Sequence, residues 1–449
     1  MDQQLSRNSS SETQNNVAAD TMEPDQNNNL EGVKNEYWRY IPLNKATLRG
    51  DWDAAKRFFV QDANAITAPI NSFSETALHI AVGTGERAIH FVEKLVELMP
   101  VEALTLRDSF GYTALHVAAV VGNTRAAVVL VQKNPDLLYI HSYRDLLPLH
   151  CAALYACKDT LLFLLTVTED DHVSRPFSNK NVVRLVNLAI SSGFYDVALN
   201  LVQRYPQLAK SKDNHNECVL QCIARKASAF PSGSHLNFWQ RVIYCYVPVK
   251  LETNPIKYPP SRGDLENPAA ANRRSQVLIV QKYNWSIWAQ LLKDFSISVP
   301  LVKHIREQKQ MHLEALTLLK CVCEEIRSSN DSNACKFAKD AVIHAARLGI
   351  HEVIEEIVDS YPELIWTRDN DNCNLFQRAV IYRHENVFNL LYQMTDHKKW
   401  VTKFRDNHED TILHLAGRLA PQRKLDLVPG AALQMQRELQ WFEVRHLTF

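Results

Sequence analysis

The sequence predicts an all-α solenoid: helix-turn-helix repeats arranged in two blocks that an irregular linker joins. Three observations predict it. A short phrase recurs around a histidine, as ETALHIA from Glu75, YTALHVAA from Tyr112, LPLHCAA from Leu147 and DTILHLA from Asp410. His79 and His116 are 37 residues apart and His116 and His150 are 34, a period that belongs to stacked helical units. The spacing persists where the histidine has drifted. Asn44, His79, His116, His150, Asn187 and Gln221 stand 35, 37, 34, 37 and 34 residues apart, and Ile343, Gln377 and His414 stand 34 and 37 apart.

The clearest copy, Asp108 to Leu130, assigns a physical job to each of its parts. Gly111 supplies the positive φ of a tight finger turn. Thr113 caps the first helix, its hydroxyl accepting a backbone N–H. Ala118 and Ala119 let the neighbouring helix approach, and Gly122 ends the helix. Leu130 belongs to the apolar stripe of the return helix. Turn, T-x-L-H, paired alanines, glycine and second helix in this order make the ankyrin-repeat pattern. The weaker copies follow the same order, for example VNLAISSGFYDVALNLV from Val186 and VIHAARLGIHEVIEEIV from Val342.

Residues 1–36 are rich in Ser, Asn and Gln and read as a disordered polar tail, because they carry too little apolar surface to offset the entropy of ordering. Residues 37–226 form an N-terminal block of about six repeats, the last degenerate. Residues 227–310 are a basic, aromatic, Pro-containing linker, and residues 311–443 a C-terminal block of about three to four repeats that begins with the helical run HLEALTLLKCVCEEI from His312. Lys and Arg balance Asp and Glu at 50 each, so no global field points to nucleic acid. Nine scattered cysteines do not make a disulfide framework and point to a reducing compartment. No run of apolar residues is long enough to span a bilayer. The expectation is a soluble cytoplasmic chain.

Chemistry is weighed against packing. The motif histidines stand in separate repeats roughly 10 Å apart, so they do not converge on one ion or substrate; each is expected to bond to backbone in the adjacent turn. Cys321 and Cys323 point apart on a helix and cannot share a zinc. The P-loop, G-x-S-x-G, H-E-x-x-H and G-x-G-x-x-G patterns do not occur. No enzyme, cofactor or metal site is expected. A protein partner is expected on the concave side, where the finger tips carry Phe73, Phe110, Tyr112, Tyr143 and Arg144 in the first block, and Asn370, Asp371, Asn407 and His408 in the second. The competing reading is that Phe73 and Phe110 pack on neighbouring turns. For the linker the leading reading is that its aromatics cover the end of the first block; contact with an anionic membrane surface is the alternative, ahead of single-stranded nucleic acid.

The ALHVAA repeats, NPIKYPPSRGD from Asn254, the His312 helix, LFQRAVIYRHENVFNLLY from Leu375, and DTILHLAGRLAPQRKLDLVPGAALQMQRELQWF from Asp410 together resemble the plant ankyrin-repeat proteins that carry a C-terminal PGG domain, over residues 37 to 443. The resemblance implies cytosolic repeats followed by membrane-spanning helices, residence of full-length members at the plasma membrane, and roles in stress and defence signalling. Residues 444–449 stand where the membrane domain is expected, which reads as a truncated product or a natural soluble form.

Overall fold

The computed structural model describes residues 37–169, 179–234, 236–249, 300–328, 332–394, 398–401 and 403–448. The expectations for the tail 1–36 and for linker residues 250–299 lie outside them. Among the described residues the fold is helical, without strands. Two isolated bridges, Lys212 with Cys218 and Arg368 with Asn374, close the bases of finger turns.

The helices come in pairs. The first block pairs α1 (Ile41–Arg49) with α2 (Trp52–Gln61), α3 (Ala77–Gly83) with α4 (Ile89–Leu98), α5 (Ala114–Val121) with α6 (Thr124–Lys133), α7 (Pro148–Leu154) with α8 (Lys158–Val167), and α9 (Asn179–Ser191) with α10 (Tyr195–Arg204). Then come α11 (Val219–Ala224), α12 (Phe238–Tyr246) and the long α13 (Pro300–Arg327). The second run pairs α14 (Ser332–Leu348) with α15 (His351–Ser360), α16 (Leu375–Ile381) with α17 (Glu385–Gln393), and α18 (Ile412–Gly417) with α19 (Ala431–Thr448). Each of the nine register positions read from the sequence, Asn44 to His414, falls on the first helix of a pair.

Helices of six to eight residues are too short to persist in water alone. They form because neighbours bury them: Ala114, Leu115, Ala118 and Ala119 on α5, and Ala126, Ala127 and Leu130 on α6, are almost wholly inaccessible. Gly50 and Gly122 close α1 and α5 in the left-handed conformation, and Asn123 caps α6 by accepting the Ala126 N–H at 3.1 Å. The Asn123 amide also donates to the Val82 carbonyl, 3.2 Å away in the previous repeat, so one cap joins two units. After four of the second helices a proline leads the chain into one turn of 3-10 helix that buries a leucine: Leu104, Leu137, Leu208 and Leu364.

First helices stack on first helices in the series α1, α3, α5, α7, α9, α11, α14, α16, α18, and second helices stack outside them. Helix α13 packs against α10 on one side and α15 on the other, both outer helices, while α11 packs on α14. The sequence places the His312 helix at the head of a separate block; its buried stripe, Ala315, Leu318, Leu319, Val322 and Ile326, completes the outer layer of the sixth repeat. One apolar core runs from Tyr40 to Trp441, so the two runs share a stack over the described residues. In sequence the basic aromatic stretch lies between α11 and α13, the two helices of the sixth repeat. Its described edge is tied down by Lys309, whose Nζ donates to the carbonyls of Tyr244 at 2.7 Å and Val247 at 2.8 Å at the end of α12.

Candidate protein-binding surface

Six finger turns project from the described stack, and one device builds most of them. Asp108 Oδ1 accepts the N–H groups of Phe110 and Tyr112, both at 2.8 Å, while the Asp108 N–H donates to the Tyr112 carbonyl at 2.9 Å. Asn71, Asp213, Asp369 and Asp406 repeat the arrangement, each accepting two N–H groups two and four residues on. Ser142 does it once, with Leu146. This turn places one residue at positive φ: Gly111 in the second finger, and Ser74, Asp145, Asn216, Asn372 and Glu409 in the others. A Cβ on Gly111 would lie 2.7 Å from both the backbone N and Cγ of Tyr143, so the second finger needs glycine for space as well as for φ.

Neighbouring fingers are joined through backbone. The Phe73 carbonyl accepts the Ser109 N–H at 2.8 Å, the Phe110 carbonyl accepts the Tyr143 N–H at 3.4 Å, and the Asp371 carbonyl accepts the Asn407 N–H at 3.1 Å.

His79 and His116 each join a finger to the helix behind it, and His150 joins α7 to α9. His79 Nε2 lies 3.0 Å from the Tyr112 carbonyl, His116 Nε2 3.0 Å from that of Leu146, and His150 Nε2 2.9 Å from that of Asn181. A carbonyl oxygen only accepts, so Nε2 carries the proton. Nδ1 accepts the N–H of the residue three positions back: Thr76 at 3.3 Å, Thr113 at 3.2 Å and Leu147 at 3.1 Å. The sequence assigns the Thr113 hydroxyl to a backbone N–H; its hydrogen bond in the structure is to His116 Nδ1 at 2.9 Å, and it is the donor there because Nδ1 already accepts. The rings are therefore neutral. Burial pushes His116 and His150 down to about 4 and lowers His79 in the same direction.

At Gln377 an amide makes the same two bonds. Gln377 Oε1 accepts the Asn374 N–H at 2.9 Å, and Nε2 donates to the Phe404 and Asp410 carbonyls, both at 3.3 Å. Asn187 donates to Asp213 Oδ2 at 3.0 Å. Gln221 Nε2 donates to Asp340 Oδ2 at 3.0 Å, on α14. His414 is exposed; its Nδ1 bonds to Thr411, and its ring borders an open depression with Leu413, Gly417 and Phe442.

Residues 43–141 match the family model described as ankyrin repeats, in three copies. The array contains ankyrin repeats. No curated protein matches the chain. Among solved structures the chain is similar to the ankyrin repeat domain of Bcl-3, described as a unique member of the IkappaB protein family, at 22% identity, over 41% of this chain and 80% of that one, with a TM-score of 0.33. Ankyrin repeats mark a protein–protein interaction domain and are typically non-enzymatic scaffolds.

On the ankyrin fingers the aromatic residues named from the sequence fall together. Phe73 and Phe110 stack with ring centroids 6.3 Å apart and planes 21° apart, yet remain 48% and 44% exposed. Tyr143 lies over Gly111 and is 70% exposed. Packing on the neighbouring turn and presentation to solvent thus coexist. Tyr112 is half-buried and stacks on His116 at 5.4 Å, with burial raising its phenol. Arg144 is exposed at the third tip. The tips of the second run, Asn370, Asp371, Asn407 and His408, lie on two adjacent fingers.

Sequence reasoning passed over Arg184, whose Nη1 donates to the carbonyls of Arg144 at 3.3 Å and Asp145 at 3.2 Å and buttresses the third finger from α9. It also passed over a cluster under the seventh and eighth repeats, where Asp369 receives Arg347 at 3.0 Å and Arg378 at 2.5 Å. Nothing local marks either, since each joins separate repeats or turns. Among the described residues no group of three or more His, Cys, Asp or Glu is placed to hold a metal ion, and no helix is long and apolar enough to cross a membrane.

Proposed function

We propose that this chain is a non-enzymatic adaptor of the plant ankyrin/PGG type, holding a protein partner on its concave side in stress or defence signalling. One observation carries the reading: Phe73, Phe110 and Tyr143 form an exposed aromatic strip on turns whose backbone is held by side-chain and inter-finger hydrogen bonds. Large rings on a rigid base lose little entropy on binding and are the usual anchors of binding energy. The PGG assignment rests on the resemblance of the segment from Asp410 to Phe442. In domain terms we read residues 37–443 as one array with 250–299 inserted in its sixth repeat.

Affinity purification with the wild-type chain and with a Phe73→Ala, Phe110→Ala, Tyr143→Ala variant tests this reading. Partners held by the first and lost by the second are expected, with affinity falling at least about 100-fold at roughly 1 kcal/mol or more per ring. An unchanged partner set from a folded variant contradicts it.

The alternative, a cytosolic portion of a plasma-membrane protein that touches lipid through its basic segment, is favoured by the exposed Phe238, Trp239 and Tyr246 on α12. Fractionation separates the two: a chain that pellets with membranes, and stops doing so when these three residues become serine, supports the alternative.

A further inference from the structure

Around the aromatic strip the charges are divided unevenly between paired and unpaired groups. The carboxylates are engaged: Glu75 with the Asn71 amide, Asp108 with the two N–H groups of its own turn, and Asp145 with His141 at 2.7 Å and Asn214 at 3.2 Å. The guanidinium groups are not. Among the described residues Arg107 and Arg144 are exposed and have no carboxylate partner, and Arg184 donates to the carbonyls of Arg144 and Asp145 and to no carboxylate. All three act on the same small region. Arg107 lowers the pKa of His116, Arg184 that of His150, and Arg144 that of Tyr112, each as a minor effect beside burial.

Resting on the finger-docking reading, we infer that the partner's docking segment is an acidic peptide with an aromatic or large aliphatic residue between carboxylates. The apolar residue lies on the Phe73–Phe110–Tyr143 strip, and the carboxylates on either side of it are met by Arg107 and Arg144. Guanidinium forks donate to carboxylates in two parallel hydrogen bonds, a geometry that lysine on the same fingers would not offer. Because the paired acids nearly cancel the local field, the selectivity acts at contact range and depends less on salt than long-range steering does. A basic segment would bring its charges against unpaired guanidinium groups and lose affinity.

The test selects peptides from a random display library on the full-length chain, then measures the selected peptides as fluorescein conjugates by anisotropy. Enrichment of Asp and Glu flanking an aromatic or aliphatic residue is expected, with about tenfold weaker binding to the Arg107→Gln, Arg144→Gln variant and recovery with Arg107→Lys, Arg144→Lys only in part. Basic or neutral peptides that still need Phe110 overturn the acidic-partner inference and leave finger docking standing. Peptides indifferent to both arginines and to Phe73, Phe110 and Tyr143, or a selection that recovers none dependent on them, overturn both. Phosphatidylcholine/phosphatidylserine vesicles provide the remaining arm. If they sediment the wild type but not the double Gln variant, and the selected peptides do not compete, the arginines belong to lipid and the inference fails.

Discussion

Glu438→Ala is expected to destabilise the C-terminal end of the array by about 3 kcal/mol, the cost of leaving a buried guanidinium without its counter-charge. The partner is Arg383, only 2% exposed, against 21% for Glu438. Its Nη2 donates to Glu438 Oε2 at 2.7 Å and to the carbonyls of Ala416 at 3.1 Å and Arg418 at 2.6 Å, its Nη1 donates to Val380 O at 2.6 Å, and the cation lies 5.6 Å from the Trp441 ring centroid. One side chain thus fastens α16, α18 and α19 together. Carbonyl dipoles partly compensate the charge, which holds the expected loss below the upper end for a buried pair. Urea unfolding followed by circular dichroism, with limited proteolysis to locate the opening, should show α19 released first. Arg383→Met with Glu438→Met should recover most of the loss, since no charge is then buried. A loss under about 0.5 kcal/mol in Glu438→Ala would mean the pair does not fasten the helix.

Acid should weaken the array through its histidines. Burial holds His116 and His150 at about 4, below the ordinary 6.5, so the unfolded chain binds protons that the folded chain refuses. Stability is therefore complete above about pH 6.5, declines as pH falls toward about 4, and each ring should remove roughly 2 kcal/mol by pH 5. Two rings together are worth about 4 kcal/mol, a large part of a typical folding free energy. Burial lowers His79 and His384 in the same direction. His116→Gln separates this effect from ordinary carboxylate titration. The amide can make both of the ring's bonds, as Gln377 does, so stability at pH 7.5 should change by less than about 1 kcal/mol while the acid slope loses one ring's share. Urea midpoints between pH 7.5 and 4.5 measure it; equal slopes for the two proteins would show that His116 is not held neutral.

The sequence carried the repeat register well because the register is a local property repeated many times. Nine positions from Asn44 to His414 each fall on a first helix. Gly111 and Gly122 could be assigned to positive φ because a turn and a helix end are decided within a few residues. The Asx turn of Asp108 was also within reach, since an acidic or amide residue recurs at Asn71, Asp213, Asp369 and Asp406 in the same register, but those residue types are common in loops of every kind. The layer occupied by α13 was not legible. Its apolar period declares a helix, and nothing in the period says whether α10 and α15 will hold it or whether it opens a new block. Arg383 and Glu438 are 55 residues apart and look like two ordinary surface charges until α19 folds back. The strip of Phe73, Phe110 and Tyr143 could be named from the finger positions; that Tyr112 turns inward onto His116 could not, because alternate residues of a tight turn exchange faces with small changes in φ.

Hydrogen–deuterium exchange of the full chain, with and without a partner recovered by affinity purification, tests the interaction surface most directly. New protection is expected in residues 71–75, 108–112 and 142–146, with the outer helices unchanged. Protection confined to Phe238–Tyr246 or to α19, with the three fingers exchanging as in the free chain, would contradict it.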